Sequence, residues 1–114
     1  MMAPSIVMRE AEVELVLGSA GSNRIRSALL QTIVGVVDHG LLARDAVDAP
    51  RVHLEDGVLF HEPGIEPRQL GAGRRVVSFG SRNLFFGGVQ AVQRRGELIT
   101  GAGDPRRGGV AVSA

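Results

Sequence analysis

The residues with the clearest chemical potential lie in the run Leu15-Val16-Leu17-Gly18-Ser19-Ala20-Gly21-Ser22-Asn23-Arg24-Ile25. An apolar strand pattern enters a small turn at Gly18 to Ser22, and a long apolar helix pattern starts directly after it. The first turn of a helix has backbone N–H groups without intrahelical acceptors. A strand–turn–helix of this kind therefore aims unpaired donors at one point. That point can receive a phosphate, a carboxylate or the oxyanion of an acyl-transfer intermediate. A purely structural strand-to-helix turn uses the same residue types, so the turn alone leaves its ligand open.

Other chemistries find less support. All 13 basic residues are Arg, so the Lys of a phosphate-binding Walker loop is missing. There is no Cys, which removes disulfides, zinc–thiolate sites and cysteine nucleophiles. No serine sits in a G-x-S-x-G elbow. Thr32 falls inside the helix pattern and Thr100 inside a strand pattern, away from any chain start where an α-amine could act as base. The histidines are His39, His53 and His61. If Asp56-Gly57 is a two-residue hairpin turn, Glu55 pairs with Val58 and Val52 with His61, and His53 and His61 then point to opposite faces. No metal site and no cofactor is expected. Asp104-Pro105-Arg106-Arg107-Gly108-Gly109 reads as a turn begun by Asp, set by Pro and closed by Gly, with Asp104 or Arg106 reaching a pocket as the functional alternative. Asp56 of the Glu55-Asp56 pair is accounted for by the hairpin turn.

The 114 residues suffice for one domain. A hydrophobic share of 44% with 22% charged residues is that of a globular chain. The formal net charge of +1 supplies no electrostatic case for nucleic acid. No apolar run reaches membrane-spanning length and no signal peptide is recognisable, so the compartment stays open. The Met1-Met2 start suggests an initiator placed before a native Met, a cut inside a longer protein.

The elements that must position the turn follow from periodicity. Strands are predicted over Ser5 to Met8 and Val13 to Leu17. Asn23 is predicted to cap a helix from Arg24 to about His39. Its face of Ile25, Leu29, Ile33, Val36 and Val37 is widened by Ala28, Leu30 and Val34, a pattern that calls for burial on more than one side. Gly40 ends it. A short helix, Leu42 to Val47, stops before Pro50, which disfavours helical geometry at Ala49. Strands Arg51 to Glu55 and Val58 to His61 flank the Asp56-Gly57 turn. Pro63 to Gly73 is a connection with a helical turn at Pro67 to Leu70, Arg74 to Phe79 is a strand, and Ser81 to Gly87 is a loop carrying Phe85-Phe86. A hairpin joins Gly88–Gln93 to Leu98–Gly101, and Val110 to Ser113 is a last strand. The order predicts an α+β layered domain.

Several segments, in order, resemble the C-terminal part of the small subunit of gamma-glutamyltranspeptidase. Met2-Ala3-Pro4-Ser5-Ile6-Val7 is similar to the family's Met-Ser-Pro-Thr-Ile-Val stretch. Gly18-Ser19-Ala20-Gly21-Ser22-Asn23-Arg24-Ile25 is similar to its Gly-Ser-Pro-Gly-Gly-Ser-Arg-Ile turn. Asp45-Ala46-Val47-Asp48-Ala49-Pro50-Arg51 matches its Glu-Ala-Val-x-Ala-Pro-Arg helix end. Gly88-Val89-Gln90-Ala91-Val92 and Gly103-Asp104-Pro105-Arg106-Arg107-Gly108-Gly109 match its closing segments.

The resemblance implies part of an N-terminal-nucleophile (Ntn) hydrolase αββα sandwich, mainly antiparallel sheet with two helices, with residues 1–114 as a single partial domain. It implies a threonine acyl-enzyme that passes γ-glutamyl groups to water or an amine. It assigns oxyanion-hole N–H groups to Gly21 and Ser22, with Ser22 standing where the family has its second glycine. The nucleophilic threonine lies upstream of everything here. The chain is thus expected to be inactive alone, to need an N-terminal part of the same protein and a γ-glutamyl substrate, and to self-associate when isolated. The alternatives are a fragment of a related acylase or poly-γ-glutamate-processing enzyme, and a standalone non-catalytic structural or binding module.

Overall fold

In the computed structural model, residues 2–70 and 73–114 are described. Strands β1 (Ser5–Arg9) and β2 (Glu12–Ala20) lead into helices α1 (Ile25–Val37) and α2 (Ala43–Asp48). Strands β3 (Val52–Glu55), β4 (Val58–His61), β5 (Arg75–Ser78), β6 (Gly88–Arg95) and β7 (Leu98–Ala102) follow. One sheet has the order β1-β2-β6-β7 with antiparallel pairs throughout. The other has the order β3-β4-β5, and its β4–β5 pair is parallel. The α+β, mainly antiparallel fold with two helices is as the sequence predicts.

Alternation along the strands sorts residues between two faces of the larger sheet. Leu15 and Leu17 of β2, Val89 and Ala91 of β6 and Ala102 of β7 point to one side and form the core with Ile25, Ala28, Leu29 and Val36 of α1 and Ala43, Ala46 and Val47 of α2. The helices approach closely where Gly35 meets Ala46; a Cβ at Gly35 would lie 3.1 Å from the Ala46 Cβ. The opposite face carries Ile6 opposite Val16, with Val92 beside Val16. These three and Ile99 are 63%, 41%, 48% and 66% exposed, an apolar row that no element of the described residues covers. The helix is buried against the sheet and α2, while Leu30 on its third side stays exposed. Burial on more than one side, which its breadth predicts, is thus met by the sheet and α2.

Several local expectations hold. Gly40 adopts φ +67° and Leu41 N–H donates to Gly35 O at 3.0 Å, closing α1 as a glycine cap does. Ala49 is extended before Pro50. The β3–β4 register pairs Val52 with His61 and Glu55 with Val58. Asp56 and Gly57 both take positive φ, 51° and 76°, as a two-residue hairpin of this twist requires.

Others are corrected. The strand expected to end at Leu17 continues to Ala20, because Gly18, Ser19 and Ala20 pair with Gln90, Val89 and Gly88. The turn is consequently shorter and begins at Gly21. Asn23 does not cap α1. Arg24 occupies the cap position with helical φ and ψ and no side-chain capping bond, and the Asn23 amide donates to Glu55 Oε1 at 2.8 Å. Val110 to Ser113 forms no strand: Gly109 and Val110 pass against Gly103, Ala111 lies over Gly101, and no ladder forms. Residues 71–72 of the predicted Pro63–Gly73 connection lie outside the described residues, as does Met1 of the Met1-Met2 start; the helical turn Pro67–Leu70 is present as a 3₁₀ turn.

Candidate functional site

Gly21 leaves β2 with φ +139°, a conformation that suits only glycine. A Cβ there would meet Gly87 Cα at 3.6 Å and Ile25 Cγ1 at 3.8 Å, so the turn is packed between the start of β6 and the first residue of α1. Ser22 is exposed. Its carbonyl accepts from Ile25 N–H at 3.2 Å and its hydroxyl accepts from Arg24 Nη1 at 3.2 Å. The N–H groups of Gly21, Ser22, Asn23 and Arg24 have no acceptor among the described residues. The turn is therefore an open row of donors at a helix N-terminus, with the positive end of the helix dipole behind it.

Two cations border this row. The Arg24 guanidinium lies 4.1 Å over the Phe85 ring and 3.5 Å from Glu55 Oε2. The Arg107 stem lies on Gly88, where even a Cβ would come within 2.5 Å of Arg107 Cδ, and its guanidinium reaches the neighbourhood of Gly21. Arg107 has no ion pair among the described residues. A cavity of about 550 Å³ opens among Gly21, Ser22, Arg24, Asn83, Phe85 and Arg107. On the sheet side of the same turn a groove of about 510 Å³ runs past Gly18, Gly21, Gly88 and Gln90.

Asp104 and Arg106 do not reach this cavity. They are buried, with Arg51 and Glu62, in a quartet of two cations and two carboxylates. Arg51 Nη2 meets Asp104 Oδ2 at 2.7 Å, Arg106 Nη1 meets Asp104 Oδ1 at 3.2 Å, and Arg106 Nε donates to Glu62 Oε1 at 2.8 Å. Backbone groups complete the set. Arg106 donates to Val47 O and Ala49 O, and Arg51 donates to Val47 O and Phe86 O. Glu62 accepts from Arg51 N–H and Asn83 N–H, and Asp104 accepts from Val89 N–H and Arg106 N–H. Burial pushes both carboxyls upward, but for Glu62 the Arg106 guanidinium with the two N–H donors, and for Asp104 the Val89 N–H with Arg51 and Arg106, outweigh it. Both end below their ordinary values. The sequence reading of a turn at Asp104 is correct, since Asp104 caps the 3₁₀ turn Pro105–Arg107 and Gly108 closes it at φ +64°. The same turn sends Arg106 inward and Arg107 outward. The sequence did not single out Arg107; the bare Gly88 that receives its stem is the one signal that could have.

His53 and His61 are both buried and serve separate places, as the hairpin register requires. His61 contacts Glu62 O and Ser78 Oγ. His53 Nδ1 bonds Ser27 Oγ at 2.7 Å, and its Nε2 lies 3.6 Å from Glu55 Oε2. Burial holds the His53 ring below its ordinary pKa. Phe60, Phe79, Phe85 and Phe86 pack together beside it, with neighbouring centroids about 5 Å apart.

The family model described as gamma-glutamyltranspeptidase matches residues 1–114. A glutathione hydrolase proenzyme of Escherichia coli is 35% identical over 92% of this chain and 19% of its own length. An acylase proenzyme of a Pseudomonas species is 42% identical over 56% of this chain and 12% of its own. The solved gamma-glutamyltranspeptidase of Pseudomonas nitroreducens superposes with a TM-score of 0.82 at 32% identity, over 99% of this chain and 62% of that one. The chain thus spans about a fifth or less of the curated relatives' length, and its α+β layers are those of part of an Ntn-hydrolase sandwich.

Proposed function

Because the chain belongs to the gamma-glutamyltranspeptidase family, we propose that residues 1–114 are the C-terminal portion of an enzyme that transfers or hydrolyses γ-glutamyl groups, with Gly21 and Ser22 as its oxyanion donors. In this reading the N-terminal portion supplies the threonine nucleophile and the groups that grip the glutamyl end. Attack on the amide carbonyl makes a tetrahedral intermediate whose oxygen gains a full negative charge. The Gly21 and Ser22 N–H groups bond that oxygen more strongly than the neutral carbonyl, which lowers the barrier. One such donor typically contributes about 2.7–4 kcal/mol to transition-state stabilisation. The donors act only with a nucleophile about 3 Å from the same carbon.

The observation that carries the reading is the open row of donors at Gly21 and Ser22, bordered by Arg24 and Arg107 and lying beside the uncovered apolar face of the sheet. That face is where a second sheet layer would pack, so the cover and the nucleophile would arrive from the same side. Ser22 in place of a second glycine keeps the N–H donor. The test is product release from a γ-glutamyl anilide by this chain alone, by the N-terminal portion alone and by the two produced together. Activity is expected only with both; release by this chain alone would overturn the division of labour. The match to an acylase proenzyme favours a second reading with the same chemistry on a different acyl group. A glutaryl anilide, which lacks the α-amino group, cleaved faster than the γ-glutamyl one would select it.

A further inference from the structure

The proposed donors sit on an exposed turn whose first residue, Gly21, lies against Gly87. The two side chains that follow Ser22 are held from 32 residues away. Glu55 is the last paired residue of β3, directly before the two-residue turn Asp56-Gly57, and it is opposite Val58 in the ladder. It stands on the β3–β4 hairpin and reaches back to both side chains that follow Ser22. Its Oε1 accepts from Asn23 Nδ2 at 2.8 Å, and its Oε2 lies 3.5 Å from Arg24 Nη2. Behind it, His53 is buried with Nε2 unpartnered and 3.6 Å from Glu55 Oε2. The tautomer follows from charge: with Ser27 Oγ–H donating to Nδ1, Nε2 carries the proton and presents a positive edge to the carboxylate. The other tautomer would face a lone pair toward it. Stacking of Arg24 on Phe85 locks the other end of the tether.

We propose that Glu55 is a positioning residue for the Gly21–Ser22 turn: its carboxylate ties Asn23 and Arg24 to the β3 hairpin and so aims the two N–H groups preceding them. Glu55 touches no reacting atom. It acts through Asn23 and Arg24, the two residues between Ser22 and the first turn of α1. The proposal rests on the oxyanion reading above. A backbone donor must lie about 2.7–3.1 Å from where the oxyanion forms, so a loosened turn loses transition-state stabilisation while leaving substrate affinity in place.

The test uses the whole protein, with the N-terminal portion present, and reads two quantities. The first is kcat and KM for Glu55→Ala, Glu55→Gln, Asn23→Ala and the Asn23→Ala/Glu55→Ala pair. Glu55→Ala is expected to lower kcat about tenfold with KM within about twofold, the pattern of an interaction realised in the transition state. Glu55→Gln retains an acceptor for Asn23 and is expected to recover most of the loss. The double variant is expected to be no slower than Glu55→Ala, since both changes cut one tether. The second quantity is the backbone order parameter at Gly21 and Ser22, expected to fall from about 0.85 to below about 0.6 in Glu55→Ala. Unchanged order parameters, or additive effects of the two single substitutions, would overturn the tether. Ser22→Pro, which deletes one donor, separates the two claims. If it leaves kcat intact the oxyanion reading fails, and the order parameters still decide the tether. If it lowers kcat while Glu55→Ala does not, the positioning role alone fails.

Discussion

The buried quartet Arg51, Glu62, Asp104 and Arg106 and the open turn at Gly21–Ser22 share one wall, the segment Phe86 to Val89. The quartet holds that segment from inside, through Arg51 on Phe86 O and Asp104 on Val89 N–H. The turn leans on it from outside, through the approach of Gly21 to Gly87. Both regions are polar and both are drawn from distant parts of the chain. They differ in satisfaction. The quartet is sealed, and among the described residues Arg51 Nε is its one donor without an acceptor. The turn keeps four consecutive N–H groups without acceptors among the described residues. A sealed, neutral cluster has its polar groups answered within the fold, whereas an open row of donors backed by a helix leaves room for the anionic oxygen proposed above.

The sharpest way to break this contrast is to unbalance the quartet. Asp104→Ala or Arg106→Ala leaves an uncompensated buried charge and is expected to cost about 3–5 kcal/mol in urea denaturation. Ser22→Gly, which touches only the open turn, is expected to stay within about 0.5 kcal/mol in the same assay. Comparable losses for the two would erase the distinction between a structural and a receptive site. Between them lies the shared wall. Gly87 takes φ +81°, and a Cβ there would come to 3.3 Å from both Ala28 Cβ and Ser19 Oγ. With ψ −168° this backbone is essentially confined to glycine, so Gly87→Ala is expected to cost about 1–3 kcal/mol and to lower activity of the whole enzyme as well, because the wall serves both regions.

Acid separates the regions in a second way. Glu62 and Asp104 titrate below their ordinary values when folded. Each therefore stabilises above its unfolded value, about 4.3 for Glu and 3.9 for Asp, and the contribution is lost as pH falls through the lower folded value. His53 is also lowered, by burial first, so the unfolded chain takes up that proton earlier. Stability is expected to begin falling as pH drops below about 6.5. Thermal midpoints measured across pH should show two descending limbs on acidification. His53→Gln is expected to flatten the upper limb, which belongs to the buried ring behind Glu55, and to leave the lower limb of the quartet in place.

The uncovered sheet face yields the mildest expectation. With Ile6, Val16, Val92 and Ile99 exposed, the chain produced alone should self-associate at high concentration by light scattering, and Val16→Glu should reduce that association. A concentration-independent monomer would count against this face as a covered surface.

What was legible in the sequence follows the range of the interactions. The His53 and His61 placement came from a two-residue turn and the period of two along a strand, both local. The α1 terminus at Gly40 and the end of α2 before Pro50 were local as well. Asn23 is not the cap because the helix begins at Ile25 with Arg24 in the cap position, and the Asn23 Nδ2 donor is held by Glu55 on the other sheet, a tertiary contact that no local pattern shows. The inward turn of Arg106 and outward turn of Arg107 were invisible for a similar reason. Arg51, Glu62 and Asp104 come from three separate segments, and no spacing rule brings them together before the chain folds. The donor turn itself was legible as chemistry, but its starting point moved from Gly18 to Gly21 once pairing with β6 extended β2.

The account depends on where charge develops in the reaction. A crystal structure of the whole protein trapped as a tetrahedral boronate adduct on its nucleophile locates that charge directly. The adduct oxygen is expected about 2.7–3.1 Å from the backbone nitrogens of Gly21 and Ser22. An adduct oxygen bonded to other donors, with Gly21 and Ser22 facing solvent, would contradict the role given to this turn.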